Sequence, residues 1–139
     1  MSDRRFVDTD LLVYAHDVST GIKHDKAREL IESLWGDRSG VLSTQVLQEL
    51  YVSLRKAPRP LPAAEARRIV SEYLRWEVVV NTGESVLQAV DLEMRYRLSF
   101  WDALIVQAAA ASGAEVLYSE DLSSGQVYGT VRVVNPLAA

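Results

Sequence analysis

Apolar residues along the chain fall into short β-branched runs separated by longer stretches with helical spacing. Phe6 and Val7 end a first buried strand, and Leu11, Leu12 and Val13 open a buried helix directly after it. A polar loop around Ser19, Thr20 and Gly21 leads to a second helix over about 23–35, where Ala27, Leu30, Ile31 and Leu34 share one face. Gly36 and Gly40 bracket a turn before the short apolar run Val41–Leu42. Ser43 or Thr44 can cap the helix that follows, about 45–56, whose core stripe is Val46, Leu47, Leu50 and Leu54.

Pro58, Pro60 and Pro62 make 57–62 a loop, and Pro62 suits the first position of a helix. That helix runs to about Trp76 with Ala66, Ile69, Val70 and Leu74 inward. Glu77–Val80 reads as a buried strand by its run of valines. Thr82 begins a helix to about Tyr96, with Val86, Leu87, Val90 and Met94 inward. Ser99–Gly113 is a further helix; Ser99 and Asp102 have the spacing of a capping box, and Gly113 is a natural stop. Val116–Tyr118 is the fourth strand and Val131–Val134 the last. This alternation predicts a three-layer α/β/α sandwich around a mostly parallel five-stranded sheet.

At 139 residues the chain is expected to be one domain, 1–139, able to bury its own core. Nearly half the residues are apolar, as in an ordinary globular protein, and no apolar run approaches the roughly 20 residues of a membrane span. The opening MSDRR leads straight into a strand, with no room for a signal peptide, and the absence of cysteine suits a cytoplasmic protein. A net charge of -4 argues against a generally basic nucleic-acid coat but leaves room for a local basic patch. The richest such patch holds Arg55, Lys56, Arg59, Arg67, Arg68 and Arg75. It reads first as a solvated face and second as a phosphate-contacting surface, for which Arg55, Lys56 and Arg59 are the candidates.

Candidate chemistry lies in the carboxylates. Asp8 and Asp10 follow the first strand around Thr9, Glu49 lies in the second turn after the second strand, Asp102 opens a helix, and Asp121 follows the fourth strand. Each has a plain alternative: Asp8, Asp10 and Asp102 can cap helices, and Glu49 sits at the border of its helix's apolar stripe, where a Glu is usually solvated. Their common position at the carboxyl edge of the sheet is the informative feature. Like charges gathered there are costly without a cation. With two histidines and no cysteine in the chain, an all-oxygen site suits Mg²⁺ or Mn²⁺ better than Zn²⁺. Such an ion can align water with a phosphodiester without any side-chain nucleophile.

Four blocks in order, FVDTDLLVYAHD, LSTQVLQELYVSLRK, LSFWDALIVQAA and LYSEDLSSGQVYGTVRVVNP, make the chain resemble the PIN-domain family, and within it the VapC-type toxins of bacterial type II toxin–antitoxin pairs. The resemblance implies a metal-dependent endoribonuclease leaving 5′-phosphate and 3′-hydroxyl ends, on a five-stranded parallel sheet. It implies homodimers, and inhibition by a small VapB-like antitoxin that covers the acidic groove. Its acidic site falls on Asp8, Glu49, Asp102 and Asp121, as catalytic and metal-binding residues, with Ser119 as the hydroxyl residue that often precedes the last acid. Asp10 stands where the family commonly has Asn and adds a charge beside the site; ligand, support for a ligand together with Thr9, and helix cap are open to it.

Two other readings compete. A HAD-like phosphatase also ends its first strand in D-x-D, with Asp8 as covalent nucleophile, but that chemistry relies on a late Lys, and the last Lys here is Lys56. A non-catalytic PIN-like module would bind RNA or protein without cutting; degenerate members usually lose one of the acids, and all four are present here.

Overall fold

A computed structural model describes residues 3–56 and 59–138. Its central strand is β1 (Arg5–Val7), where Phe6 and Val7 are wholly buried between helical layers. There follow α1 (Thr9–Ala15), α2 (Ile22–Asp37), β2 (Gly40–Ser43), α3 (Thr44–Leu54), α4 (Ala63–Tyr73) and β3 (Glu77–Val79). The second half holds α5 (Gly83–Tyr96), α6 (Phe100–Ala111), β4 (Val116–Tyr118), β5 (Val127–Tyr128) and β6 (Val131–Val134). Helices α1 to α4 pack on one another, and α5 packs on α6 in the other layer. The architecture is the expected α/β/α sandwich.

The sheet order is β3-β2-β1-β4-β6-β5. The five strands expected from the sequence are the five that run parallel, from β3 to β6. The sixth, β5, is two residues long, pairs antiparallel with β6 and covers that edge. It follows from the tight turn at Gly129, whose φ of 63° is open to glycine at no steric cost. Two residues are too few to show a period, so the sequence carries no sign of this strand.

Helix limits differ from the sequence reading where local chemistry decides them. Helix α2 runs through Gly36 to Asp37 and stops at Arg38 in the left-handed region, so Gly36 is not a turn residue. Pro62 is the N-cap rather than the first helical residue, and Ala57 and Pro58 lie outside the described residues. Helix α4 stops at Tyr73, which leaves Leu74 60% exposed and turns Tyr73 and Trp76 inward against Trp35. A Cβ on Gly40 would run into the Trp76 indole, so only glycine lets β2 start beneath that ring. Strand β3 is the sheet's other edge, half-buried instead of buried, and Val80 lies beyond it, exposed.

The largest correction concerns α5. Val86, Leu87 and Met94, expected inward, are exposed, and Val90 is only half-buried. The inward face is Ser85, Ala89, Leu92 and Tyr96, because α6 is apolar nearly all round and sits close enough to demand small residues opposite Ala103 and Leu104. Helix α5 starts with a true capping box, Thr82 with Ser85.

Candidate active site

Strand order reverses direction at the boundary between β1 and β4, the place where an open parallel sheet leaves a crevice at its carboxyl edge. Val7 pairs with Tyr118, so the two strands end level, and the Asp8 N–H donates to the Tyr118 carbonyl at 2.9 Å. The residues that follow these two strands therefore meet: Asp8 and Asp10 after β1, Ser119 and Asp121 after β4.

Asp8 is buried and has both oxygens engaged. Its Oδ1 accepts from the Thr9 N–H at 2.8 Å, which makes it the N-cap of α1, and its Oδ2 accepts from Ser119 Oγ at 2.8 Å. Ser119, itself wholly buried, is held by the Leu122 N–H at 3.2 Å. Capping and membership of the acidic cluster are thus one arrangement in Asp8. Asp10 Oδ1 accepts from the Leu11 N–H at 2.8 Å, whereas its Oδ2 is buried and makes no hydrogen bond among the described residues, the nearby Glu120 N–H only easing the charge of the carboxylate. One carboxylate oxygen from each of Asp8, Asp10 and Asp121 lies within 4.8 Å of the others.

That crowding shows in the acidities. Burial pushes the Asp8 carboxyl up to about 6; the bonds from Ser119 and Thr9 oppose the shift, and the charges of Asp121 and Asp102 add to it. Burial, then the charges of Asp8 and Asp121, pushes Asp10 up to about 8. Asp10 therefore holds a proton at neutral pH unless a cation replaces it, and Asp8 takes one up just below neutrality. An oxygen-only set with one orphaned buried carboxylate oxygen fits a hard divalent ion, Mg²⁺ or Mn²⁺.

The other two acids of the sequence reading stand beside this group rather than in it. Glu49, half-buried on α3, accepts from Thr9 Oγ1 at 2.7 Å through Oε1 and from Gln45 Nε2 at 3.4 Å through Oε2. Asp102, in the first turn of α6, lies outside the trio of oxygens, although its charge reaches Asp8. Ser99 Oγ accepts from the Asp102 N–H at 3.1 Å, and the reciprocal bond of a capping box is absent among the described residues. Asp10, for which ligand, support and cap were all open in the sequence, stands in the cluster with Asp8 and Asp121. Gln45 gave no signal in the sequence beyond being a polar residue in the first turn of a helix.

An open cleft of about 580 Å³ runs past Thr9, Asp10, Glu49 and Asp121 to Tyr14 and Lys56. Lys56 forms no ion pair among the described residues, so its charge is free to face an anion there. Arg59 lines an adjoining hollow with His16 and Asp17. Arg55 donates to the Leu61 carbonyl at 2.9 Å and braces its own loop. Arg68 is bound to Glu65 and Glu72, and Arg75 lies at the opposite, amino edge of the sheet beside Gly40 and Glu77. The basic stretch thus divides, with Lys56 at the acids. On the other rim, Glu120 takes the Tyr14 hydroxyl at 2.5 Å and Lys23 at 2.8 Å, tying the loop after β4 to α1 and α2.

Comparison with known proteins gives one family and a set of similar solved structures. A PIN-domain family model matches residues 5–128. The crystal structure of VapC20 of Mycobacterium tuberculosis, described as a sarcin-ricin loop cleaving toxin, is similar with a TM-score of 0.68 at 23% identity, over 84% of this chain and 89% of that one. A toxin–antitoxin complex from Klebsiella pneumoniae matches with a TM-score of 0.70 at 19% identity, over 95% and 97%. VapBC2 from Rickettsia felis, bound to a DNA fragment from its promoter, matches with a TM-score of 0.66 at 19% identity, over 93% and 96%. No curated protein sequence matches the chain.

Proposed function

The chain belongs to the PIN-domain family, and from that premise we propose that it is a divalent-cation-dependent endoribonuclease, the toxin of a VapBC-type toxin–antitoxin pair. The observation that carries this reading is the convergence of Asp8, Asp10 and Asp121 at the β1/β4 crevice, with Asp10 Oδ2 buried and unpaired. These three would hold Mg²⁺ or Mn²⁺, and Asp102 and Glu49 would supply further carboxylate oxygens to it from the flanks. The chemistry such a cation would supply is activation of a water and neutralisation of charge on the scissile phosphate. Ser119 and the Thr9 N–H fix both oxygens of Asp8, so its carboxylate keeps one orientation. Glu49, oriented by Thr9 and Gln45 at the wall of the cleft, accepts the proton from the attacking water. Lys56 receives the RNA backbone, and Arg59 extends that path. The products carry 5′-phosphate and 3′-hydroxyl ends.

The similar structures favour the same biology: one is a toxin that cleaves the sarcin-ricin loop, and two are toxin–antitoxin assemblies. By that likeness the substrate is RNA and the partner an antitoxin protein; the family resemblance of the sequence adds that the antitoxin is small and VapB-like, the assembly a homodimer and the place of action the cytoplasm. The acids and Lys56 that this reading uses all lie within the one domain proposed for residues 1–139. A HAD-like phosphatase does not suit a PIN-domain chain, and the covalent nucleophile it would need, Asp8, is buried with both oxygens hydrogen-bonded.

Purified protein free of any antitoxin, incubated with total RNA in Mg²⁺ and in chelator, tests the reading. Cleavage in Mg²⁺ that stops in chelator, with 5′-phosphate ends, is the expected result. Cleavage that survives chelation, or none in either condition, overturns it.

A further inference from the structure

We propose that Gln45 is a positioning residue that locks Glu49 and the first turn of α6, and with it Asp102, into one frame for the metal-dependent reaction; this rests on the nuclease reading of the acidic site. Gln45 lies in the first turn of α3 and is only 4% exposed. Its amide Nε2 is shared between Glu49 Oε2 at 3.4 Å and the Trp101 carbonyl at 3.2 Å. Trp101 immediately precedes Asp102. One buried amide therefore spans the two helices that carry the flanking acids.

Stability alone does not account for a glutamine there. Its Oε1 is buried with no donor, and a half-satisfied buried amide serves the fold less well than an apolar side chain of the same shape. The backbone at this position is also held independently of the side chain. Asn81 Oδ1 accepts from the Gln45 N–H at 3.0 Å and from Thr44 Oγ1 at 2.9 Å, which anchors the start of α3 to the loop after β3. What the glutamine adds is the pair of bonds from Nε2. With Thr9 on the other oxygen of Glu49, these complete a line of contacts running from α1 through Glu49 to α6.

The test compares the full chain with Gln45→Met and Gln45→Glu by three readouts: thermal midpoint without metal, Mn²⁺ affinity from paramagnetic titration, and kcat and KM for a model RNA. Gln45→Met keeps the shape and removes the bonds. Its metal-free midpoint should stay level or rise, while Mn²⁺ affinity and kcat each fall by about 10- to 100-fold, the usual effect of removing a group that orients metal ligands, with KM little changed. Gln45→Glu sets a carboxylate against Glu49, so its metal-free midpoint should fall and Mn²⁺ should raise it by more than in the wild type. Gln45→Asn, one methylene short of both acceptors, covers the case in which the Met variant does not fold, and should show the same loss of Mn²⁺ affinity. A Met variant that binds Mn²⁺ and cleaves like the wild type overturns the positioning role while the nuclease reading stands. So does one whose midpoint falls with Mn²⁺ affinity unchanged. Wild-type protein that neither binds Mn²⁺ nor cleaves RNA removes the nuclease reading, and this role with it.

Discussion

The Thr9 hydroxyl donates to Glu49 Oε1 at 2.7 Å, joining the helix after β1 to the helix after β2 across 40 residues of chain. Thr9 lies between Asp8 and Asp10, so a single residue sets Glu49 beside the clustered carboxylates. Because Thr9 is itself buried, its hydroxyl is confined to this bond.

Replacing Thr9 by Val keeps the shape and removes the donor. Glu49 is half-buried and can turn to water, so Thr9→Val should cost only about 1 kcal/mol of stability, the net worth of an ordinary hydrogen bond. Cleavage should fall about 10- to 100-fold, as for other groups that orient a metal site. Denaturant unfolding and RNA cleavage measured on one preparation separate the two, and unchanged cleavage would remove Thr9 from the site.

Proton and metal should compete at Asp8 and Asp10. Both folded carboxyls lie above their ordinary value of 3.8, at about 6 and about 8. Folding therefore favours the protonated forms. The stability they contribute is whole below about pH 4 and is lost as pH rises through 6 and then 8. Burial lowers His16, which works in the opposite direction below its ordinary 6.5, but that residue is common to wild type and Asp10→Asn and cancels between them. Without metal, Asp10→Asn should gain on the wild type as pH is raised from 5 to 8, and Mg²⁺ should raise the wild-type midpoint far more than the variant's. A constant difference across that range would mean that Asp10 is not titrating in the fold.

Lys56 carries the electrostatic claim. Each phosphate contact adds about 0.7 to the slope of log affinity against log salt for a single strand. Lys56→Ala in a cleavage-inactive background should weaken RNA binding and lower that slope by about one contact's worth. Arg75→Ala, at the far edge of the sheet, should leave it as it was. Equal effects at both positions would return the basic stretch to a solvated face.

The strands that frame the site were legible because each is a short β-branched or aromatic run closed by a polar turn: Val116–Tyr118 and Val131–Val134 fall where the pattern put them. Helix α5 was not, since two stripes compete on it. The larger side chains of Val86, Leu87 and Met94 outweigh Ser85 and Ala89 in any apolar count, yet the close neighbour α6 selects the small ones. At the site, spacing brought Asp8 and Asp121 to one edge because each lies within three residues of the end of a central strand. It could not rank Asp10 above Asp102, because that depends on which oxygens come within a few ångströms of one another. Gln45 was invisible for a related reason: both of its partners come from tertiary packing and helix geometry, and neither leaves a motif.

Asp102 is where capping and catalysis can be told apart. The cap of α6 is made by Ser99, whose Oγ takes the Asp102 N–H; among the described residues the Asp102 carboxylate makes no capping bond in return. Ser99→Ala should therefore cost about 1 kcal/mol, the ordinary worth of an N-cap. Asp102→Asn should cost far less. Its charge gains about 0.3–1 kcal/mol from the helix dipole, and the repulsion of the same charge on Asp8 across the crevice takes back part of that. If Asp102 completes the metal site, Asp102→Asn should lose nearly all Mg²⁺-dependent cleavage at an almost unchanged melting temperature. Ser99→Ala should show the reverse, a lower melting temperature with most of the cleavage kept. Normal cleavage by Asp102→Asn would take Asp102 out of the site and leave the chemistry to Asp8, Asp10, Asp121 and Glu49.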